Sequence, residues 1–370
     1  MKSILGNGIV MERHKPYIAM LFIQFIYAGM ALFSKVAISK GMNSYVFVVY
    51  RQAFATVALA PFAFFLESNK TCPLSYNLIC KIFMVSLCGL TLSLNLYYAA
   101  INYIPATFAA ATTNAIPVIT FVMAAFLRME IISLKRVHGI AKVLGSVLGV
   151  SGALVFAFVK GPAIRIHNWH PSIDELRHHH HQGPSLNTYS RSGDWIKGAL
   201  IMISANILWS LWLILQTPIV KQYPSKLRLT TLQCFFSFIQ SATWSIAVER
   251  NPSAWKLGWD VQLLSVAYCG IVVTGITYWL QVWAIQKKGP VFTAMFTPLA
   301  LLITAIFSVL LWKETLHWGS IGGAVLLVGG LYGVLWGKNK EEEEGKRSVI
   351  YDQENAEPNE ENKVECITDR

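Results

Sequence analysis

The residues best suited to chemistry are uncharged polar side chains that recur at helical spacing inside long apolar runs. One run carries Gln24, Ala28, Ala31 and Lys35, a second Thr91, Asn95, Tyr98 and Asn102, and a third Asn206, Ser210 and Thr217 with Gln216 beside them. Three more carry Thr230, Gln233, Ser237 and Gln240, then Gly270, Thr274, Thr277 and Gln281, then Thr293, Thr297 and Thr304. Steps of three, four or seven place each set on one helix face. The chemistry open to such groups is hydrogen bonding, either to a neighbouring helix or to a polar solute. For a single Ser or Thr the first role is the ordinary one. Six such faces in one chain are better met by a shared wet cavity.

Thr112-Thr113-Asn114 followed by Pro117 adds a second kind of donor set. The proline has no N–H for the carbonyl four residues back, at Thr113, and Asn114 lies in the disturbed turn. A free carbonyl beside an amide suits a polar ligand, while a simple kink is the equal alternative. Pro298 repeats the motif in a later run.

Arg51 is the basic residue set well within an apolar run, about two turns inside. Mid-membrane arginine costs about 2.5–3.5 kcal/mol, and less if it reaches the headgroups. Snorkelling is the first expectation; the competing one turns Arg51 to the cavity, where its fork would grip a solute carboxylate. No Asp or Glu lies at mid-depth in any run, which speaks for facilitated rather than proton-coupled movement. Nothing resembles a nucleotide-binding loop or a hydrolase triad, so neither catalysis nor a cofactor is expected. His178 to His181, with His167 and His170 near, lack acid or cysteine partners, and no metal site is expected there. The six cysteines show no disulfide or metal spacing.

These side chains need elements that hold them. The chain is 54% hydrophobic and 14% charged, with a mean hydropathy of +0.46, too few charges to clothe a soluble fold of this size. Charge gathers in short stretches between apolar runs at 17–35, 45–66, 77–101, 105–127, 138–159, 195–217, 228–248, 261–285, 290–312 and 317–337. Each is long enough to cross a hydrocarbon layer about 30 Å thick. Lipid leaves no backbone group unsatisfied, and the runs are too long and evenly apolar for barrel strands, so all ten are expected as transmembrane helices. The first is too long for a signal sequence and lacks a cleavage site.

The net charge of +11 flanks the helices rather than covering a soluble domain, so it reads as orientation and not as a nucleic-acid surface. Lys and Arg of the short loops concentrate on the side of the N-terminus, which places both termini in the cytoplasm. The sequon at Asn69 then falls inside and is expected to stay unmodified.

A shift of 184 residues superimposes Ala100-Ile101 on Ala284-Ile285, Glu130 on Glu314, Gly145 on Gly329 and Gly149 on Gly333. The two glutamates stand at corresponding helix junctions, and the glycines form small-residue packing faces. Five helices per copy make the second copy inverted, the plan of secondary transporters. The expected domains are a cytoplasmic N-terminus 1–16, a first repeat 17–159, a His/Pro/Ser-rich outer linker 160–194, a second repeat 195–337 and an acidic disordered tail 338–370.

Several patterns resemble a known family. They are Lys35 with Gly41-Met42, Tyr50-Arg51-Gln52, the run from Asn95 to Tyr98, the run from Asn114 to Pro117, and Arg128-Met129-Glu130. Lys160-Gly161-Pro162, the run from Tyr223 to Lys226, the run from Lys288 to Phe292 and the run from Tyr332 to Lys338 belong with them. Together they resemble the plant EamA-type family of walls-are-thin-related, or nodulin-21-like, transporters. The resemblance runs from about Lys15 to Lys340. It implies a drug/metabolite-transporter fold of two EamA repeats and a role in carrying amino acids, or auxin and related acids, across the plasma or vacuolar membrane. It points to Lys35, Arg51, Asn95, Asn114, Pro117, Glu130 and Glu314. Many relatives carry Gln just before the helix-3 Asn and an acid a little earlier; here Leu94 and Cys88-Gly89-Leu90 stand in those places.

Overall fold

A computed structural model describes residues 2–39, 41–67, 74–104, 109, 112–130, 135–159, 162, 192–223, 225–258, 260–312 and 318–356. Every long element among them is a helix: α1 (Lys2–Ser39), α2 (Ser44–Leu66), α3 (Tyr76–Ile101), α4 (Ile116–Phe126), α5 (Val137–Phe158), α6 (Ser192–Gln222), α7 (Lys226–Val248) and α8 (Val261–Lys288). They are followed by α9, made of Pro290–Met295 and Thr297–Trp312, and by α10 (Trp318–Ala356). Each expected span is met by a helix in order. Seven of the described helices are long and apolar enough to cross a bilayer, and α4 is a shorter apolar helix. Their outer faces carry large bare side chains, such as Phe126 at 87% exposure, which only a lipid environment makes affordable.

Local chemistry sets the ends. Asn43 caps α2 by accepting the Tyr45 N–H at 2.8 Å, and Asp260 caps α8 by accepting the Gln262 N–H at 2.9 Å. Pro117 and Pro298 sit in the first turns of α4 and of the second piece of α9, where a missing N–H costs nothing. Among the described residues of the fourth span, Ala109 and Thr112-Thr113 are helical, Asn114-Ala115 form a turn, and helix resumes at Ile116.

Corresponding helices of the two halves run antiparallel. At one end of α2, Asn43 Nδ2 donates to Glu249 at 2.7 Å, just past the end of α7. At the other end, Glu67 accepts the Arg228 N–H at 3.0 Å and the Ser225 hydroxyl, at the start of α7. The partners α5 and α10 cross at their glycines. A Cβ on Gly145 would lie 2.7 Å from the Gly330 carbonyl, and one on Gly152 would lie 2.6 Å from the Leu327 nitrogen. So the chain is an all-α membrane protein of two inverted halves, joined helix to mate. Of the four glycines expected in helix packing, Gly145 makes the close approach and Gly330, next to Gly329, receives it. Gly149 touches through its backbone, with open space where a Cβ would go, and Gly333 is 3.5 Å from Gly145 Cα by the same measure.

Both α3 and α8 contain a wide π-helical stretch, Ser86–Leu92 and Tyr268–Ile276. The shift of 184 residues that relates the halves lays the first inside the second.

Residues 338–356 of the expected disordered tail are helical, as α10 continues to Ala356, well beyond the end of the tenth span, and residues 357–370 lie outside the described residues. The acids of α10 are engaged, Glu341 with Lys142 at 2.6 Å, Glu342 with Lys288 at 2.6 Å and Glu344 with Arg136 at 3.1 Å. Lys142 is fully buried one turn into α5. Glu130 completes the group, 3.3 Å from Lys142 and paired with Lys338. Its repeat mate Glu314, the linker with His178 to His181, and Asn69 lie outside the described residues.

Candidate functional site

A cavity of about 260 Å³ lies between the halves. From the first half come Tyr27 and Met30 of α1, Arg51 of α2, Ser93, Leu94, Tyr97 and Tyr98 of α3, and Thr113, Asn114 and Ile116 at the α4 turn. The second half supplies Ala205, Asn206, Trp209 and Leu213 of α6, Tyr278 and Gln281 of α8, and Thr293, Thr297, Ala300, Leu301 and Thr304 of α9. The walls are thus mostly apolar and aromatic, with a few polar groups converging, as in small-molecule sites generally.

Arg51 is the charged member, and it does not snorkel. It is 2% exposed, donating Nε to the Thr274 hydroxyl at 2.6 Å and, more weakly, Nη2 to the Tyr278 hydroxyl at 3.4 Å. Both acceptors are neutral, and among the described residues none that lines the cavity is acidic. N–H groups of the guanidinium remain over for a solute. The Gln281 carbonyl oxygen and the Asn206 side-chain nitrogen are also buried with no protein partner. These three residues give the cavity a fixed positive charge, a free acceptor and a free donor.

The polar stripes divide in two. Arg51, Asn114, Asn206, Gln281 and Thr297 line the cavity, with Thr293 and Thr304 from the same face of α9. Tyr98 lines the cavity too, and several of the others join helix to helix. Asn95 donates to the Thr91 carbonyl at 2.8 Å and to the Ser241 hydroxyl at 3.5 Å, and Thr91 donates to Gln240 at 2.8 Å, which binds α3 to α7. Gln216 and Gln233 exchange amide hydrogen bonds at 3.0 and 3.2 Å between α6 and α7. The Thr112 hydroxyl bonds the Ala109 carbonyl at 2.9 Å, and that of Thr277 bonds the Val273 carbonyl. Gln24 is buried away from the cavity lining. Pro117 and Pro298 face a small void beside it, which shares Asn114 with the cavity and reaches Gly145 and Gly330. The side chain of Lys35 lies outside the described residues.

The aromatic wall was absent from the sequence reading. Trp209 stacks on Trp212 with ring centres 5.0 Å apart, and Tyr278 leans on both. Trp209 and Trp212 stand three apart on the helix of Asn206 and Ser210, a spacing that marks one face but equally suits core packing.

A cavity with a few converging polar groups, set between two inverted halves of a helical membrane protein, defines the class: a transmembrane transporter. The sequence matches the EamA-like transporter family over residues 14–152 and 196–336, one match per half, and the chain belongs to that family. It is 60% identical to a WAT1-related protein of Arabidopsis thaliana, over 90% of this chain and 94% of that one. A second WAT1-related protein of the same plant is 49% identical over 90% and 92%. An auxin-induced protein of Pinus taeda is 36% identical over 92% and 82%. A crystal structure with 14% sequence identity superimposes with a TM-score of 0.63, over 86% of this chain and 96% of that one, and so shares the fold.

Proposed function

We propose that this chain is a facilitative carrier of small organic carboxylates, moved by alternating access between its inverted halves. The observation that carries this is Arg51: a buried guanidinium with neutral partners, facing a cavity without an acidic wall residue. An unpaired charge in a low-dielectric site is costly, and a carboxylate brought by the solute relieves the cost. The rings of Tyr27, Tyr97, Trp209 and Tyr278 favour a flat apolar body behind that carboxylate. Indolic and phenolic acids, auxin among them, fit this description best.

Amino acids form the second reading, favoured by the Gln281 carbonyl oxygen, a buried acceptor that an ammonium group would satisfy. The basic loops support an orientation with both termini in the cytoplasm, in the plasma or vacuolar membrane.

Efflux from oocytes loaded with labelled indole-3-acetate or labelled neutral amino acids tests both readings. The native chain is expected to export the indolic acid, and Arg51→Gln to cut that flux about tenfold or more, the loss of a charge-assisted hydrogen bond. Equal flux from Arg51→Gln would remove the carboxylate reading. No flux of any solute from a chain present at the surface would favour a scaffold or sensor.

A further inference from the structure

We infer that Thr274 is a positioning residue: it ties the π-helical turn of α8 to the Arg51 guanidinium and thereby sets the affinity of the cavity for carboxylates. This rests on the carboxylate reading above.

Many hydroxyls in the α-helical stretches of this protein bond four residues back. Ser146 donates to Lys142 at 2.7 Å, Thr230 to Lys226 at 2.9 Å and Thr304 to Ala300 at 2.7 Å. Thr274 instead donates to the Cys269 carbonyl, five residues back, at 3.0 Å. That reach belongs to the wide turn Tyr268–Ile276 in which Thr274 sits. The hydroxyl has one proton, and Cys269 takes it. Its lone pairs are then left to accept the Arg51 Nε–H at 2.6 Å.

The approach of the two helices is built for this bond. Gly270 faces Arg51, and a Cβ there would lie 2.7 Å from the Arg51 carbonyl and 2.5 Å from Phe54 Cβ. Only glycine lets α8 come close enough for Thr274 to reach Nε. Thr274 is fully buried, so no water competes for the bond. In an ordinary α-helical register the hydroxyl would turn toward the carbonyl of Gly270 and leave Nε unheld. The guanidinium would then lose the shorter of its two anchoring bonds and keep the longer one, to Tyr278.

The test separates Thr274 from Arg51 by the charge of the solute. The Michaelis constant for indole-3-acetate and the inhibition constant for its neutral amide are measured on Thr274→Val, Thr274→Ser and Arg51→Gln, with surface amount followed by a tag. Valine keeps the shape and removes the hydroxyl. It is expected to raise the constant for the acid about tenfold, the worth of a hydrogen bond to a charged group, while the amide and the maximal rate stay unchanged. Serine is expected to restore the acid to near the native value. A parallel loss for acid and amide in Thr274→Val, or a failure of serine to rescue, would reduce Thr274 to packing and overturn the proposal. If valine prevents accumulation, Thr274→Ala replaces it with the same expected selectivity. Should Arg51→Gln leave the acid constant unchanged, the carboxylate reading falls; if it raises the constant and Thr274→Val does not, only the role of Thr274 falls.

Discussion

Gln281 and Asn95 look alike in the sequence, each a buried amide on a polar helix face, and the structure gives them different work. Both keep a carbonyl oxygen without a protein partner, but Gln281 faces the cavity, whereas Asn95 lies off its lining and gives its N–H groups to Thr91 and Ser241. Gln281→Leu is therefore expected to lower flux of amino acids relative to indole-3-acetate several-fold, measured by competition, because only the ammonium loses an acceptor. Asn95→Leu is expected to leave that ratio unchanged and to cost about 0.6–1.7 kcal/mol of stability, seen as a lower melting point in detergent. A changed ratio in Asn95→Leu would put that residue on the solute path. The helical period could name both faces, since it follows from spacing alone. It could not say which face meets a neighbour and which meets a void, because that depends on how helices from the far half of the chain pack. Arg51 shows the same limit. Its depth in the span was legible, but its direction depended on Thr274, more than two hundred residues away. Tyr278 and Trp209 went unread because large aromatics at helical spacing are the ordinary content of a core.

Among the elements, hydropathy located the helices and the 184-residue repeat foretold the inversion of the halves, since both are properties of the chain in one dimension. The π-helical stretches were not legible. A wide turn adds one residue to a ring of hydrogen bonds without changing composition, and glycine or threonine inside a span fits either register. The α5–α10 crossing was legible in kind but not in detail. Runs of glycine announced close packing, yet only the rotation of the two helices decides which glycine points at the partner. That rotation gives a sharp expectation. Gly145→Ala places a methyl group against the Gly330 carbonyl at 2.7 Å and is expected to cost about 1–3 kcal/mol through overpacking. Gly149→Ala points into open space, with nothing within 4 Å, and is expected to keep or slightly raise stability through the better helix propensity of alanine. Thermal unfolding of the two detergent-solubilised variants checks this, and equal melting points would contradict the crossing.

At the scale of the whole molecule, the halves are held at one end by a charge cluster that the sequence concealed by dispersing it. Glu130 lies just after α4, Lys142 in α5, Lys288 at the end of α8, and Lys338, Glu341 and Glu342 along α10. Read along the chain, the lysines look like loop charges and the glutamates like a solvated tail. In three dimensions the two populations neutralise each other, because α10 continues past the apolar layer and returns its acids to the mouth of the bundle. The members differ in burial, which ranks their worth. Glu130 is 9% exposed at its side chain and stands between Lys142 and Lys338, themselves 1% and 11% exposed. Glu130→Gln leaves two shielded lysines facing each other and is expected to cost about 3 kcal/mol, as when one partner of a buried pair is removed. Glu341 and Glu342 are 32% and 40% exposed, so water and salt screen them. Ending the chain after Lys340 is expected to cost less than Glu130→Gln, since the acids removed are partly screened and Lys142 keeps Glu130 as a partner. The two variants should also differ in salt response: added salt narrows the gap between native and truncated chains, and hardly alters the deficit of Glu130→Gln. Melting curves at low and high ionic strength decide the matter. A truncation that destabilises more than Glu130→Gln would mean that the helical extension, rather than the buried glutamate, holds the two halves together at this end.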